Sequence, residues 1–237
     1  MDENGELLTE LYADDEARSA TTPRLYGKLI SIRTADGNSI DGFPVVIANP
    51  PKTAVLRLPT NAELMAYLGK QRSRYKDLGR RKGQPVPVST GKADLELFTK
   101  LRLAGTGEPF DEFEAGTAIN KMMRQRIIDC ERVGQSYKIS LETVFGTTVH
   151  VIGIPTEKDM DAYLRNFMVP TDLPHGVTER RFPPEVPVNL YDACIESVSG
   201  YIPRITKLDV PPNHKASVCM ELASALNEQG AVDDPNS

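Results

Sequence analysis

Tryptophan is absent from this chain, and aromatic residues make up only 6% of it. Its cores must therefore be filled by Leu, Ile, Val and Met. Cysteine is scarce and odd in number: Cys130, Cys194 and Cys219 stand far apart, and no CxxC occurs. That excludes a disulfide framework and fits buried, reduced thiols in a reducing compartment. Histidine is equally scarce. His150, His175 and His214 are never four residues apart and none lies in HExxH, so no zinc-site pattern is present. His150 falls on an expected strand, as a surface or core-edge residue. No apolar run approaches the roughly 18 residues that a membrane-spanning helix needs. No secretory leader is legible either, so export by that route is not expected. Phosphate loops are missing too. Gly105-Thr-Gly107 is too short, precedes Glu108-Pro109, and lacks both GxGxxG and a GK[ST] ending. It and Gly91-Lys92 read as loops that join helices. No catalytic residue, metal ligand or cofactor site is expected.

What is present is an ordinary globular composition over 237 residues, 40% hydrophobic and 26% charged. The net charge of −5 is unevenly placed. Residues 1–20 hold seven acids (Asp2, Glu3, Glu6, Glu10, Asp14, Asp15, Glu16) against Arg18 alone, which leaves the remainder at +1. Global charge thus argues neither for nor against nucleic acid.

The strongest internal signal is a repeat. Val55-Leu-Arg-Leu-Pro-Thr-Asn-Ala-Glu-Leu-Met-Ala-Tyr-Leu68 returns 96 residues later as Val151-Ile-Gly-Ile-Pro-Thr-Glu-Lys-Asp-Met-Asp-Ala-Tyr-Leu164. Six of fourteen positions are identical, where roughly one is expected by chance, and this points to tandem duplication. Each copy reads as an apolar strand running into Pro-Thr. The Thr then caps a helix, with Glu63 or Asp159 three residues on. A second anchor agrees: Arg80-Arg81 precedes Val86-Pro-Val88 as Arg180-Arg181 precedes Val186-Pro-Val188.

The expected class is α+β, a tandem duplication of a β-hairpin plus three-helix unit behind an N-terminal β-hairpin. Residues 1–22 form an acidic tail and 23–42 the first hairpin. Copy one spans 43–134, copy two spans 136–228, and 229–237 is a second tail. The spacing predicts first helices that run to about Arg74 and Met168. Short amphipathic helices follow, over Ala93–Arg102 and Val188–Val198. Copy one ends in a long helix from Asp111 to Arg132. Phe113, Ile119, Met122, Met123, Ile127 and Cys130 form its apolar side, and Gly134 stops it. Copy two ends in a helix from Pro211 to about Asn227. A two-stranded hairpin cannot support three helices alone. The two hairpins, or the N-terminal hairpin and the first, are therefore expected to share a sheet.

Candidate contact residues lie mostly in one basic run. Lys70, Arg72, Arg74, Lys76, Arg80, Arg81 and Lys82 are interrupted only by Asp77. The run reads as a solvated helix end and loop, as a surface for an acidic partner (the chain's own residues 2–16 included), or as a nucleic-acid surface whose sole aromatic is Tyr75. Arg180 and Arg181 repeat the Arg80-Arg81 pair in an equivalent loop. Met122 and Met123 add an adaptable apolar face.

The string Leu56-Arg57-Leu58-Pro59-Thr60, with Glu63-Leu64 after it, resembles the tail assembly chaperones of long-tailed bacteriophages. Copy two departs from that pattern with Gly153 in place of the Arg, and the doubled length departs as well. The resemblance implies a non-enzymatic cytoplasmic factor that binds the tape measure protein, and tail tube subunits, during tail assembly in the host. It brings no catalytic residues. Two alternatives stand beside it: a structural component of a virion or another assembly, and a nucleic-acid-binding protein that uses residues 70–82. No membrane partner is implied, and self-association is compatible with each reading.

Overall fold

The computed structural model describes residues 29–33, 38–47, 52–78, 81–82, 86–87, 91–106, 109–173, 177–201 and 204–232; at 72–78, 81–82, 86–87, 106, 173, 177 and 229–232 it describes the backbone. The first half runs β1 (Ile30–Arg33), β2 (Ser39–Ile47), β3 (Lys52–Arg57), α1 (Asn61–Leu68), β4 (Arg72–Leu78), β5 (Arg81–Lys82), β6 (Val86–Pro87), α2 (Gly91–Leu101), β7 (Arg102–Thr106) and α3 (Glu112–Met122). The second runs β8 (Gln125–Val133), β9 (Ser136–Thr143), β10 (Gly146–Gly153), α4 (Glu157–Asn166), β11 (Val169–Leu173), β12 (Val177–Arg181), α5 (Glu185–Cys194), β13 (Ile195–Ser199), a 3-10 turn at Lys207–Asp209 and α6 (Pro212–Val232). The class is α+β, with every assigned strand pairing antiparallel where register is defined.

The chain divides into two compact units. One comprises residues 1–60, 91–124 and 143–145, and the other 61–90, 125–142 and 146–237. Residues 61–90, which the repeat pattern assigns to the first copy, group with the second unit. The reason is pairing and packing: β4 pairs with β12, and α1 packs on α6.

In the first unit the sheet order is β1-β2-β3-β7. The N-terminal hairpin and the first repeat hairpin thus share a sheet, one of the two arrangements expected. Alternation sends Phe43, Val45, Ile47, Ala54 and Leu56 into the core, where α2 and α3 bring Phe98, Leu101, Ile119 and Met122. Phe98 stacks on Phe110 at 4.5 Å between ring centroids. Asp111 begins α3 with a capping box. Its carboxylate accepts from the Glu114 amide at 2.8 Å, and Glu114 accepts from the Asp111 amide at 2.9 Å. The same Glu114 carboxylate meets the buried Lys52 ammonium at 2.8 Å. The Lys52 hydrogen bond first, and the Asp111 amide second, hold the Glu114 carboxyl below its ordinary range.

In the second unit the sheet order is β13-β10-β9-β8. Its core joins Tyr137, Ile139 and Ile152 of the sheet to Tyr163, Leu190, Tyr191, Val218 and Leu222 of the helices. Thr156 caps α4 as its sequence position predicts, accepting from the Asp159 amide at 3.2 Å. Thr156→Ala is expected to cost about 1 kcal/mol, read as a lower urea midpoint with an unchanged m value.

The two four-stranded sheets have the same order of parts. In each, an outer strand and a hairpin precede a helix, and a later strand pairs with the third strand. That later strand, β7 or β13, starts on the residue after a helix ends. The pairing shifts register between Val55 and Leu56 in one sheet and between Val151 and Ile152 in the other, which are matched positions of the repeat.

Several helices end earlier than the sequence spacing predicts. The first helices stop at Leu68 and Asn166, and Arg72–Leu78 is a strand. The long helix stops at Met122, with the Met123 amide donating to the Ile119 carbonyl. Gln125–Val133 is β8, and Gly134, at φ +64°, turns the chain into β9 instead of stopping a helix. Residues 195–199 are β13, so the copy-two amphipathic helix ends at Cys194. Gly105 lies in β7, where a loop was expected. The final helix extends to Val232, beyond the expected start of the second tail. The acidic residues 1–22, residues 233–237 and His175 lie outside the described residues.

Candidate interaction surface

The third sheet has the order β11-β12-β4-β5, with β6 also on β4. It belongs to the second unit and joins the basic strand of the first half to the arginine pair of the second. Arg72 stands opposite Arg181, Ser73 opposite Arg180, Arg74 opposite Glu179, Tyr75 opposite Thr178 and Lys76 opposite Val177. Asp77 pairs with Lys82 and Leu78 with Arg81. Directly opposed residues of an antiparallel pair share a face, and successive residues alternate.

This register sorts the charges. One face holds five cations among the described residues, Arg72, Arg74, Lys76, Arg81 and Arg181, against Glu179. The other sets Arg180 and Lys82 against Asp77 and Asp172. Glu179 is buried, and its carboxylate lies 4.0 Å from Arg181 Nε. Asp172 accepts from the Thr178 hydroxyl at 3.0 Å, and Arg180 approaches the Met168 sulfur at 3.6 Å. Among the described elements, no helix packs extensively on this sheet.

Of the residues singled out in the sequence, Arg72, Arg74, Arg81, Lys82, Arg180 and Arg181 therefore meet in one sheet. Arg80 lies outside the described residues. Arg181 is on β12, not in a solvent loop. Met122 and Met123 are not part of the surface. Met122 is buried in the first unit and Met123 is half-buried at the end of α3. Phe113, expected on the apolar side of that helix, is 82% exposed.

A second cluster, in the core of the second unit, was missed by sequence reasoning. His150, expected at a surface or core edge, is fully buried because it lies on the face of β10 that Tyr191 and Tyr201 cover. His150 Nδ1 shares a 2.7 Å hydrogen bond with Tyr191 Oη, and Nε2 shares one of 3.0 Å with Thr148 Oγ1. Tyr201 Oη bonds His214 Nδ1 at 2.8 Å and approaches His150 Nε2 at 3.4 Å. Burial lowers the pKa of His150 to about 4 and that of His214 to about 3. Burial also pushes Tyr191 and Tyr201 far above the ordinary tyrosine value. Beside them, Lys215 bonds Asp192 at 2.6 Å and lies over the Tyr191 ring. The imidazoles are thus neutral at neutral pH, and the hydroxyl network braces β10 against α5 and α6.

The family comparisons add no assignment. No protein-family model, curated protein or solved structure matches the chain. The three cysteines are free thiols, with Cys219 buried, and desolvation first raises the pKa of each. Among the described residues, no group of three His, Cys, Asp or Glu side chains is placed to hold a metal ion. No helix among them is long and apolar enough to cross a membrane.

Proposed function

We propose that the chain is a non-enzymatic, protein-binding assembly factor of the tail assembly chaperone kind, which holds a tape measure or tail protein during phage tail assembly. The observation that carries this reading is the recurrence of one order of parts in two sheets, with a matched register shift. In both, a strand-to-helix junction of the Pro-Thr type follows the third strand, at Pro59-Thr60 and at Pro155-Thr156. A tandem duplication accounts for that recurrence. Two similar modules on one chain suit an elongated partner, because the second contact is made at high effective concentration. The sequence resemblance supplies the class of partner and places the factor in the host cytoplasm.

The test is a tagged pulldown from producing cells, with mass spectrometry of the lysate and of purified particles. The expected result is a long helical tail protein recovered from lysate, with this chain missing from mature particles. Fixed stoichiometry in particles would establish the structural-component alternative. Recovery of no tail protein in either fraction would end the reading.

A further inference from the structure

We propose that Tyr201 is an acid-released latch: when His150 and His214 take up protons, Tyr201 and β13 leave β10 while the rest of the second unit stays folded. The latch is independent of the identity of any partner. Its geometry is one residue closing over two imidazoles. The Tyr201 hydroxyl meets His214 Nδ1 at 2.8 Å and His150 Nε2 at 3.4 Å, and its ring lies against both. Both histidines are buried, whereas Tyr201 is half-buried. Removing Tyr201 therefore opens both rings to water together.

The closed state opposes a charge on either ring. Thr148 of β10 and Tyr191 of α5 offer His150 hydroxyls. The Asp192 carboxylate of α5 is held by Lys215 of α6 at 2.6 Å, and that ammonium lies over the Tyr191 ring. Burial keeps the nearby Cys219 thiol of α6 neutral. His214 is the third residue of α6, where the positive end of the helix dipole disfavours a cation. A charge on one imidazole also opposes a charge on the other. The part that yields with least loss of burial is β13. It is an edge strand of five residues in which only Ile195 is buried, and its pairing with β10 shifts register between Val151 and Ile152. Lys207 Nζ, donating to the Ile195 carbonyl at 3.0 Å, and the Ser136 hydroxyl, donating to Glu196 at 2.7 Å, help to hold it closed. Its release leaves β10 as the edge of the sheet, open to pairing.

The experiment is amide hydrogen exchange on the full chain at pH 7.5, 6 and 5, read by mass spectrometry and corrected for the intrinsic rate at each pH. Peptides over β13 and Tyr201 report the latch, and peptides over β9 report the core. The expected result is that β13 exchanges faster than β9 at every pH, through an opening that low urea does not accelerate. Its opening constant should rise about a thousandfold from pH 7.5 to pH 5, about thirtyfold for each histidine exposed. In His214→Gln that rise should shrink to about thirtyfold. Tyr201→Phe, which keeps the ring and removes the bridging hydroxyl, should raise the opening constant at pH 7.5 by about tenfold. Equal exchange of β13 and β9, with the same urea dependence, overturns the proposal, because the unit would then open only as a whole. Fast exchange of β13 that does not change with pH overturns it too, since the strand would fray without exposing the imidazoles. These two outcomes are read on the wild-type chain and do not depend on how well a variant folds. An undiminished rise in His214→Gln, or an unchanged opening constant in Tyr201→Phe, would equally reject the latch.

Discussion

Acidification from pH 7.5 to pH 5 is expected to cost the second unit about 4 kcal/mol of stability, well before most carboxylates are protonated. The cost arises at His150 and His214. In the unfolded chain each titrates near 6.5, and in the fold burial holds them at about 4 and about 3. Between those values and 6.5, the unfolded state binds more protons than the folded one. The stability is therefore fully present above pH 6.5 and is lost as pH falls toward the folded values. Each pH unit below 6.5 removes about 1.4 kcal/mol per histidine. The groups around the rings offer a new proton no anion. Their hydrogen-bond partners are the hydroxyls of Thr148, Tyr191 and Tyr201. The charge on His150 also opposes that on His214, and the Asp192 carboxylate is engaged by Lys215. Urea titrations at pH 7.5, 6 and 5 measure the slope. A His214→Gln variant should show about half of the wild-type loss. An unchanged midpoint down to pH 5 would mean that the imidazoles are protonated in the fold or reach water.

The fold was legible wherever local chemistry marks a boundary. Pro155-Thr156 announced α4, and Asp111 announced α3. It was illegible where a helix becomes a strand with no punctuation. Leu101 ends α2 and Arg102 starts β7, and Cys194 ends α5 and Ile195 starts β13. Neither junction has a Gly or Pro, so helical periodicity runs on past the boundary. The strand is imposed by its partner, β3 or β10. Arg72–Leu78 is a harder case, since a strand of alternating Arg, Ser and Lys has no apolar face to announce it. Only pairing with β12, about a hundred residues away, makes it a strand.

The same limit governed the sites. The doubled arginine pairs were visible, but the opposition of Arg72 to Arg181 needs the register. His150 looked peripheral because Val149 and Val151 share one face of β10 and leave His150 to the other, yet it is the face of Thr148, His150 and Ile152 that is buried. Its burial follows from Tyr191 of α5 and from Tyr201, which cover that face, and the chain leading to Tyr201 includes β13, which itself read as helix.

Gly200→Ala is expected to destabilise by about 3 kcal/mol, against about 1 kcal/mol for Gly134→Ala. Both glycines have positive φ, +86° and +64°. Both substitutions therefore carry the backbone cost of a side chain in the left-handed region. The difference lies in the surroundings. A Cβ at Gly134 meets nothing within 4 Å, whereas one at Gly200 collides with the Thr147 carbonyl oxygen and lies 3.0 Å from Thr148 Cα. Those are backbone atoms of β10, which cannot yield as the end of a flexible side chain can. The strand next to Gly200 pairs Ser199 with Val149, so relief requires β13 to move away from β10. Thr148 and Tyr201 flank that junction and both hydrogen-bond His150. Parting the strands should therefore admit water to the imidazole and flatten the acid slope as well as lower the urea midpoint. Equal midpoints for the two alanine variants would show that the end of β13 already stands clear of β10. A lower midpoint with an unchanged acid slope would show that the histidine network is braced by α5 and α6 alone.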